Sequence, residues 1–435
     1  MVKNHLDTIL PITAGRDQAG CLTIAGLSLK PLAEQYGTPL YVYDGLTIYE
    51  QISRLREQLQ ANYPGRFEIT YAAKAYFSLG MGRRLAGAGL GVDVVSLGEL
   101  TVARKAGFMP ERVHLHGNNK SIDELSTALD WGVQAVVVDS PEELEMLEQL
   151  AEEKGRSARI WLRISPGVAA DTHAYLQTSH HASKFGFTVE GGQAAEAIRR
   201  ARGSRRLRLT GLHTHLGSQL FDPEPYRRAV ASLMALAEET GFIPEEISPG
   251  GGWGVPYLPG QPENNPEPWI QAVSEAVIAG CEQRGWPLPR LVIEPGRWLV
   301  ARAGLALYTA GTHKISGDGT HFVAVDGGLA DNPRPALYQA RYTAFRADCP
   351  DADPLHKVSL VGKFCESGDQ LIPEVWLPEV RRGDLLVVPV AGAYQLSMAS
   401  NYNLAPRPAV LWLEPGKVEI LQQRERLDEG SWWMG

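Results

Sequence analysis

The 435-residue chain has only four cysteines, Cys21, Cys281, Cys349 and Cys365, with no C-x-x-C pair and no zinc-finger spacing. That argues against a disulfide framework or a thiolate metal knuckle, and for a reducing compartment. There is no long basic run, and the formal net charge of −8 is dispersed. Nucleic acid and anionic membrane are therefore not expected as partners, since neither is drawn to such a balance. No apolar stretch reaches membrane-spanning length, and the start, MVKNHLDTILPITAG, lacks the apolar core of a signal peptide. A cytoplasmic protein is expected. Internal repeats and low-complexity segments are also missing.

What is present is a regular alternation. Short β-branched or apolar runs recur, each followed by a helical stretch: FEITYAAK, GVDVVS, RVHLHG, AVVVD, ARIWLRI, LTGLHTHLG, EEISPGGG and LVIEPG. Between them Ser96–Glu99, Ser121–Glu124 and Ser140–Glu143 read as capping boxes, with Pro141 at a first helical position. Leu144, Leu147 and Leu150 mark one apolar helix face. Strands alternating with amphipathic helices imply parallel pairing. Eight such units fit a closed (β/α)8 TIM-type barrel, with an open doubly wound sheet as the alternative on pattern alone. After about residue 300 the texture turns to strands and turns without regular helices, which predicts a mostly antiparallel β domain. Residues 45–300 are thus expected to form the barrel, and 1–44 with 301–435 the β domain.

The chemistry falls at strand C-terminal ends, the face that carries the active site in this barrel. Lys74 ends the first strand, where a desolvated lysine has a lowered pKa and can form a Schiff base. Gly250, Gly251 and Gly252 let backbone N–H groups close on a phosphate, and Ser218 could add a hydroxyl. Glu294, in EPGR with Arg297, could hold a protonated pyridine nitrogen. Lysine for an aldehyde, glycines for a phosphate and glutamate for a ring nitrogen jointly describe pyridoxal 5'-phosphate. His213 and His215 alternate along one strand, but no third ligand stands at zinc spacing, and no metal is expected. His180 and His181 read as loop residues. GAGLG at 87–91 precedes a strand, the wrong order for a dinucleotide fingerprint.

Cys365, in GKFCESGDQL, stands beside Glu366 and Asp369. Neighbouring carboxylates disfavour a thiolate, so this thiol is expected to be a poor nucleophile and a usable proton donor.

Together the motifs YAAKA, DVVSLGEL, HGNNKS, SKFGF, GLHTHLGSQ, GGGWG, EPGR, DGGLADNPRPALY, CESGD and GAYQLSMASNYN resemble those of fold-type III pyridoxal-phosphate decarboxylases. CESGD and RPALY resemble the diaminopimelate decarboxylases in particular, over about residues 22 to 412. The resemblance implies that Lys74 carries the cofactor as a Schiff base, His215 stacks on its ring and Glu294 pairs with the ring nitrogen. Ser218, Gly250, Gly251, Gly252 and Arg297 would lie around the phosphate or substrate. Arg297, Arg334, Tyr338, Glu366 and Tyr394 would bind meso-diaminopimelate, with Tyr394 also near the cofactor. Cys365 would supply the proton that replaces the lost carboxylate. The family also implies a homodimer whose CESGD loop serves the partner's active site.

The chain departs from the family pattern at Tyr76, where Asn is common, at Ala182, where Asp is common, at Leu97 and at Lys363. None of these removes a catalytic group. Related decarboxylases of ornithine, lysine or a polyamine precursor are the first rival, and Arg334 and Tyr338 count against them because those substrates lack a second amino-acid head. An amino-acid racemase would need two acid/base groups on opposite ring faces. A silent homologue would be expected to lack Lys74 or Cys365.

Overall fold

The structure, a computed structural model, describes residues 6, 8–168 and 184–426; His180, His181 and Ala182 lie outside the described residues. The chain forms two compact units, one of Ile52–Gly254 and Asn264–Gly296, the other of Met1–Gln51, Val255–Glu263 and Arg297–Gly435. No helix among the described residues is long and apolar enough to cross a membrane.

The first unit is a closed ring of eight parallel strands. They are β1 (Phe67–Ala72), β2 (Gly91–Val94), β3 (Val113–Leu115), β4 (Ala135–Val138), β5 (Ala158–Ser165), β6 (Leu207–His213), β7 (Glu246–Gly250) and β8 (Arg290–Ile293). Each pairs with the next, and β8 returns to β1 through Leu291–Ile293 against Phe67–Ile69. The alternation in the sequence therefore resolves as the closed barrel and not as the open sheet. Strands such as AVVV and RLVI are buried along nearly their whole length, as parallel strands covered on both faces must be.

Trp161 on β5 fills the interior beside Ala135, Val137 and Val292, with the His114 ring 4.4 Å away. A Cβ on Gly211 of β6 would come within 2.7 Å of that indole, so the strand carries glycine where the tryptophan crosses it. Close packing leaves room for one of the two side chains. At the strands' N-terminal ends, buried Glu246 accepts from Trp161 Nε1 and from Gln134 Nε2, both at 2.7 Å. Arg290 bridges Glu246 and the buried Glu68.

The helix starts differ in one respect from their sequence reading. All three serines cap, but only Ser121 and Glu124 form the reciprocal box. Glu99 reaches one residue further back, to the Val95 N–H, and Glu143 does the same to the Asp139 N–H. Glu143 is also held by Lys120 Nζ at 2.6 Å, and Lys120 donates to the Gly117 and Val137 carbonyls. The lysine of HGNNKS is thus a buried structural strut.

The second unit is built on a mostly antiparallel sheet. Its long strand Gly304–Ile315 pairs antiparallel with Leu40–Asp44, His321–Val325 and Leu385–Val388. Leu40–Asp44 also runs parallel to Ala409–Glu414. Leu40, Val42, Leu305, Leu307, Val387 and Leu411 form its core. Buried Asp331 anchors the loop ahead of Arg334, accepting from Tyr41 and Tyr308 hydroxyls and from the Gly328 N–H. Burial pushes the Asp331 carboxyl up to about 6.

The Arg290 bridge generates a stability prediction. Arg290→Met removes the cation that bridges two buried carboxylates, leaving Glu246 only the longer Arg159 contact at 3.5 Å, and should cost about 3–5 kcal/mol of unfolding free energy. Arg208→Met, which breaks an exposed pair with Glu245, should cost no more than about 1 kcal/mol. Denaturant unfolding of both variants at neutral pH checks the contrast, and equal costs would refute it.

Candidate functional site

The C-terminal ends of the barrel strands gather the marked residues of the first unit. Lys74 follows β1 in a single 3-10 turn, Ala73–Ala75. The turn is locked by Tyr71, whose hydroxyl donates to the Tyr76 carbonyl at 2.7 Å and accepts from the Tyr76 N–H at 3.1 Å. Tyr76 is therefore part of the turn's core. The flanking alanines are buried while Lys74 itself is exposed, which corrects the expectation of a desolvated lysine. Its charge is felt at Asp93, Glu99 and His215.

Glu294, immediately past β8, is buried in a polar cluster. Its Oε2 lies 3.0 Å from His213 Nε2, and its Oε1 accepts from Ser248 Oγ at 2.5 Å. Burial works against the charge, but His213 and the Ser248 hydroxyl outweigh it and hold the carboxyl well below the usual range. Glu294 is thus an ionised acceptor in a buried barrel end.

His116 stands edge-on to His213, with ring centroids 4.9 Å apart, and its Nε2 lies 3.3 Å from Asp93 Oδ1. Burial, reinforced by the Glu294 charge, drives the Asp93 carboxyl far up; burial drives His116 down. Both are held neutral beside the one charged carboxylate. The ligand atoms of His116, His213 and Glu294 come within 4.8 Å of one another, so a third group does join His213, contrary to what spacing suggested. Both Glu294 oxygens are already engaged in hydrogen bonds, whereas His116 Nε2, His213 Nδ1 and Asp93 Oδ1 are buried without a hydrogen-bond partner.

β6 ends at His213, so His215 lies in the turn beyond it and the two histidines are not a same-face strand pair. His215 is half-buried. Burial, with Lys74 and Arg163 adding to it, keeps His215 well below its ordinary value and so neutral.

The glycine run has a steric cause beyond flexibility. A Cβ on Gly251 would fall 1.9 Å from the Glu294 carbonyl oxygen, and one on Gly252 would fall 2.1 Å from that of Gly217. Gly250 and Gly252 also have φ of +77° and +104°. The Gly251 and Gly252 N–H groups donate to no other backbone or side-chain acceptor among the described residues. Such backbone donors are the chemistry a phosphate needs. With an exposed lysine amine and an ionised acceptor for a ring nitrogen, the residues present fit pyridoxal phosphate.

In the second unit, Arg297 and Arg334 are buried on either side of Tyr257. The Arg297 guanidinium lies 4.6 Å above the Tyr394 ring. Arg334 begins a five-residue helix, Arg334–Tyr338, in which Tyr338 is half-buried. Cys365 and Glu366 are exposed on a loop, with the Cys365 N–H donating to Asn403 Oδ1 at 3.2 Å. Asp369 belongs to that loop's frame. It accepts from the Leu329 and Phe364 N–H groups at 2.6 and 2.8 Å and fills the space a Cβ on Gly328 or Gly362 would need. Its carboxylate is committed to the backbone and is not an environment for the thiol.

Sequence reasoning missed Asp93, His116 and Ser248 in the barrel, and Tyr257 and Tyr342 in the other unit. Asp93 opens the motif DVVSLGEL and His116 opens HGNNKS, though neither was given a role there, and Tyr257 stands five residues beyond Gly252.

Comparison with known proteins agrees with this chemistry. Residues 47–301 match the pyridoxal-dependent decarboxylase family in its pyridoxal binding domain. The chain is 42% identical, over 96% of its own length and 96% of the relative's, to a diaminopimelate decarboxylase of Bacillus subtilis. It resembles the crystal structure of a diaminopimelate decarboxylase from M. jannaschii with TM-score 0.89 and 32% identity, covering 95% of this chain and 96% of the other. The same likeness, TM-score 0.89 and 32% identity over 95% of each chain, holds for that enzyme in co-complex with L-lysine.

The glycine geometry can be tested directly. Gly251→Ala should push the Glu294 carbonyl aside and lose pyridoxal phosphate binding in a titration that saturates the unaltered protein. Full cofactor binding by the variant would mean that the loop yields without disturbing its amides.

Proposed function

The chain belongs to the pyridoxal-dependent decarboxylases, within the diaminopimelate decarboxylase family, and on that premise we propose that it converts meso-2,6-diaminopimelate to L-lysine and carbon dioxide. The observation that carries the substrate choice is Arg334. It is buried, it donates to the hydroxyls of Tyr257 and Tyr342, and it has no carboxylate partner among the described residues. A buried cation of this kind suits a carboxylate brought by the substrate. Ornithine or a polyamine precursor offers none at the distal end.

Bound pyridoxal phosphate supplies an electron sink for the bond that breaks. Lys74 is assigned the covalent hold on its aldehyde, and its exposure keeps the amine accessible. Glu294 would face the ring nitrogen and retain a proton there, because His213 and Ser248 keep the carboxylate ionised. Neutral His215 would lie against the ring without competing for that proton. Ser218 and the N–H groups of Gly250, Gly251 and Gly252 are assigned to the phosphate. Arg297, Arg334, Tyr338, Glu366 and Tyr394 are assigned to the substrate. Cys365 would deliver a proton from Sγ to the carbon that has lost carbon dioxide. We further propose a cytoplasmic homodimer in which Cys365 and Glu366 serve the partner's site.

The assay is purified protein, pyridoxal phosphate and meso-diaminopimelate, with lysine and carbon dioxide measured together. Equal amounts of both are expected, whereas racemised substrate without gas would point to a racemase. Arg334→Met should cost roughly 2–5 kcal/mol in kcat/KM, the range for truncating one partner of a buried charge pair. Full activity in that variant would remove the specificity argument.

Shared sites have their own test. Lys74→Ala and Cys365→Ala, each inactive alone, are mixed and allowed to exchange subunits, with heterodimers verified by a tagged-subunit pull-down. Each heterodimer then has one intact site and one doubly defective site. Activity should recover to about a quarter of the unaltered level under two-fold symmetry and random exchange. Verified heterodimers without recovery would place both residues' action within one chain.

A further inference from the structure

Tyr257 occupies an unusual position for a tyrosine. Its Oη accepts from Arg297 Nη1 at 2.5 Å and from Arg334 Nη1 at 3.0 Å, so one phenolic oxygen joins two guanidiniums. Its ring stands edge-on to Tyr342, with centroids 5.4 Å apart. The Tyr342 hydroxyl takes a second bond from Arg334 Nη1 at 2.6 Å. All four side chains are buried. Two like charges so placed repel, and in a buried setting that repulsion is little screened. A hydroxyl offers two lone pairs and can satisfy a donor from each cation at once. Burial alone pushes the Tyr257 phenol up, yet Arg297 and Arg334 outweigh it and leave it below the ordinary tyrosine value. The bridge itself is geometric, one phenol oxygen accepting from both guanidiniums.

The way Arg334 spends its donors gives the pairing a use. Among the described residues only Nη1 of Arg334 is given to protein acceptors. The Nε and Nη2 edge, which binds a carboxylate through two parallel hydrogen bonds, is left for a ligand. A guanidinium anchored at one corner presents that edge in one orientation, and the ordering is done before the ligand arrives.

We propose that Tyr257 is a positioning residue for substrate specificity, bridging Arg297 and Arg334 through one oxygen so that they act as a single clamp for the substrate carboxylate that is retained. This rests on the reading that both arginines bind substrate. Tyr257→Phe removes Oη and keeps the ring. Calorimetry on cofactor-loaded protein compares L-lysine, which carries the retained carboxylate, with 1,5-diaminopentane, which lacks it.

The variant should bind lysine about 10- to 100-fold more weakly, the worth of a hydrogen bond to charged groups. Its affinity for the diamine should stay within about twofold. KM for meso-diaminopimelate should rise by a similar factor, with kcat little changed. Unchanged or tighter lysine binding overturns the proposal, because the phenol would then be idle or a competitor. Equal weakening of both ligands overturns it too, since that reports general damage. If Tyr257→Phe fails to load cofactor, Tyr342→Phe replaces it; a loss of lysine affinity alone is then required, and its absence counts against the clamp. Arg334→Met separates the two levels. Unaltered lysine binding there removes the arginine assignment itself, whereas weakened binding there with normal binding in Tyr257→Phe removes only the role of Tyr257.

Discussion

An ionised carboxylate inside a barrel costs several kcal/mol of lost hydration unless partners replace the water. Glu294 meets that cost with an imidazole at 3.0 Å and a hydroxyl at 2.5 Å. Its neighbours give way electrostatically, with Asp93 and His116 each held neutral by burial. The arrangement requires that β3, β6, β7 and β8 present His116, His213, Ser248 and Glu294 to one point, which only ring closure can do. The same backbone step also fixes the glycine run, since Gly251 lies directly against the Glu294 carbonyl. Charge, closure and the anion cradle are therefore consequences of one another.

The second unit solves the opposite problem, buried positive charge. Here the compensation comes from phenols, and Arg334 keeps an edge in reserve. Phenols stabilise a guanidinium less than a carboxylate does, so the cation stays receptive to a stronger anion. A resident aspartate would have satisfied Arg334 and made it useless as a receptor.

Much of this was legible in the sequence, for definite reasons. Eight β-branched runs alternating with capped helices leave few topologies, and Lys74, Gly250–Gly252 and Glu294 stood at strand ends where this fold does its chemistry. Other features were hidden because they depend on closure or on a few ångströms of reach. His116 and His213 are nearly a hundred residues apart and meet only because β3 and β6 belong to one ring. Glu99 and Glu143 look like capping-box partners, yet each carboxylate extends to the preceding residue's N–H. Asp369 looked like a neighbour of the thiol and is in fact spent on loop amides. Tyr257 carries no motif of its own, and its part follows from the two cations it joins.

The strand Leu40–Asp44 has an implication for how the chain is made. Its partners begin at Gly304 and Ala409, some 260 and 365 residues later. At about 5–20 residues per second of synthesis, the full set of partners arrives on the order of 20–70 s after the strand itself. The eight barrel strands, by contrast, all lie within Phe67–Ile293 and can close while the ribosome is still elongating. LYVYD, buried along its whole length in the finished protein, must spend that interval with both edges open. Until Gly304–Ile315 and Ala409–Glu414 are synthesised, this segment has neither of its native strand partners.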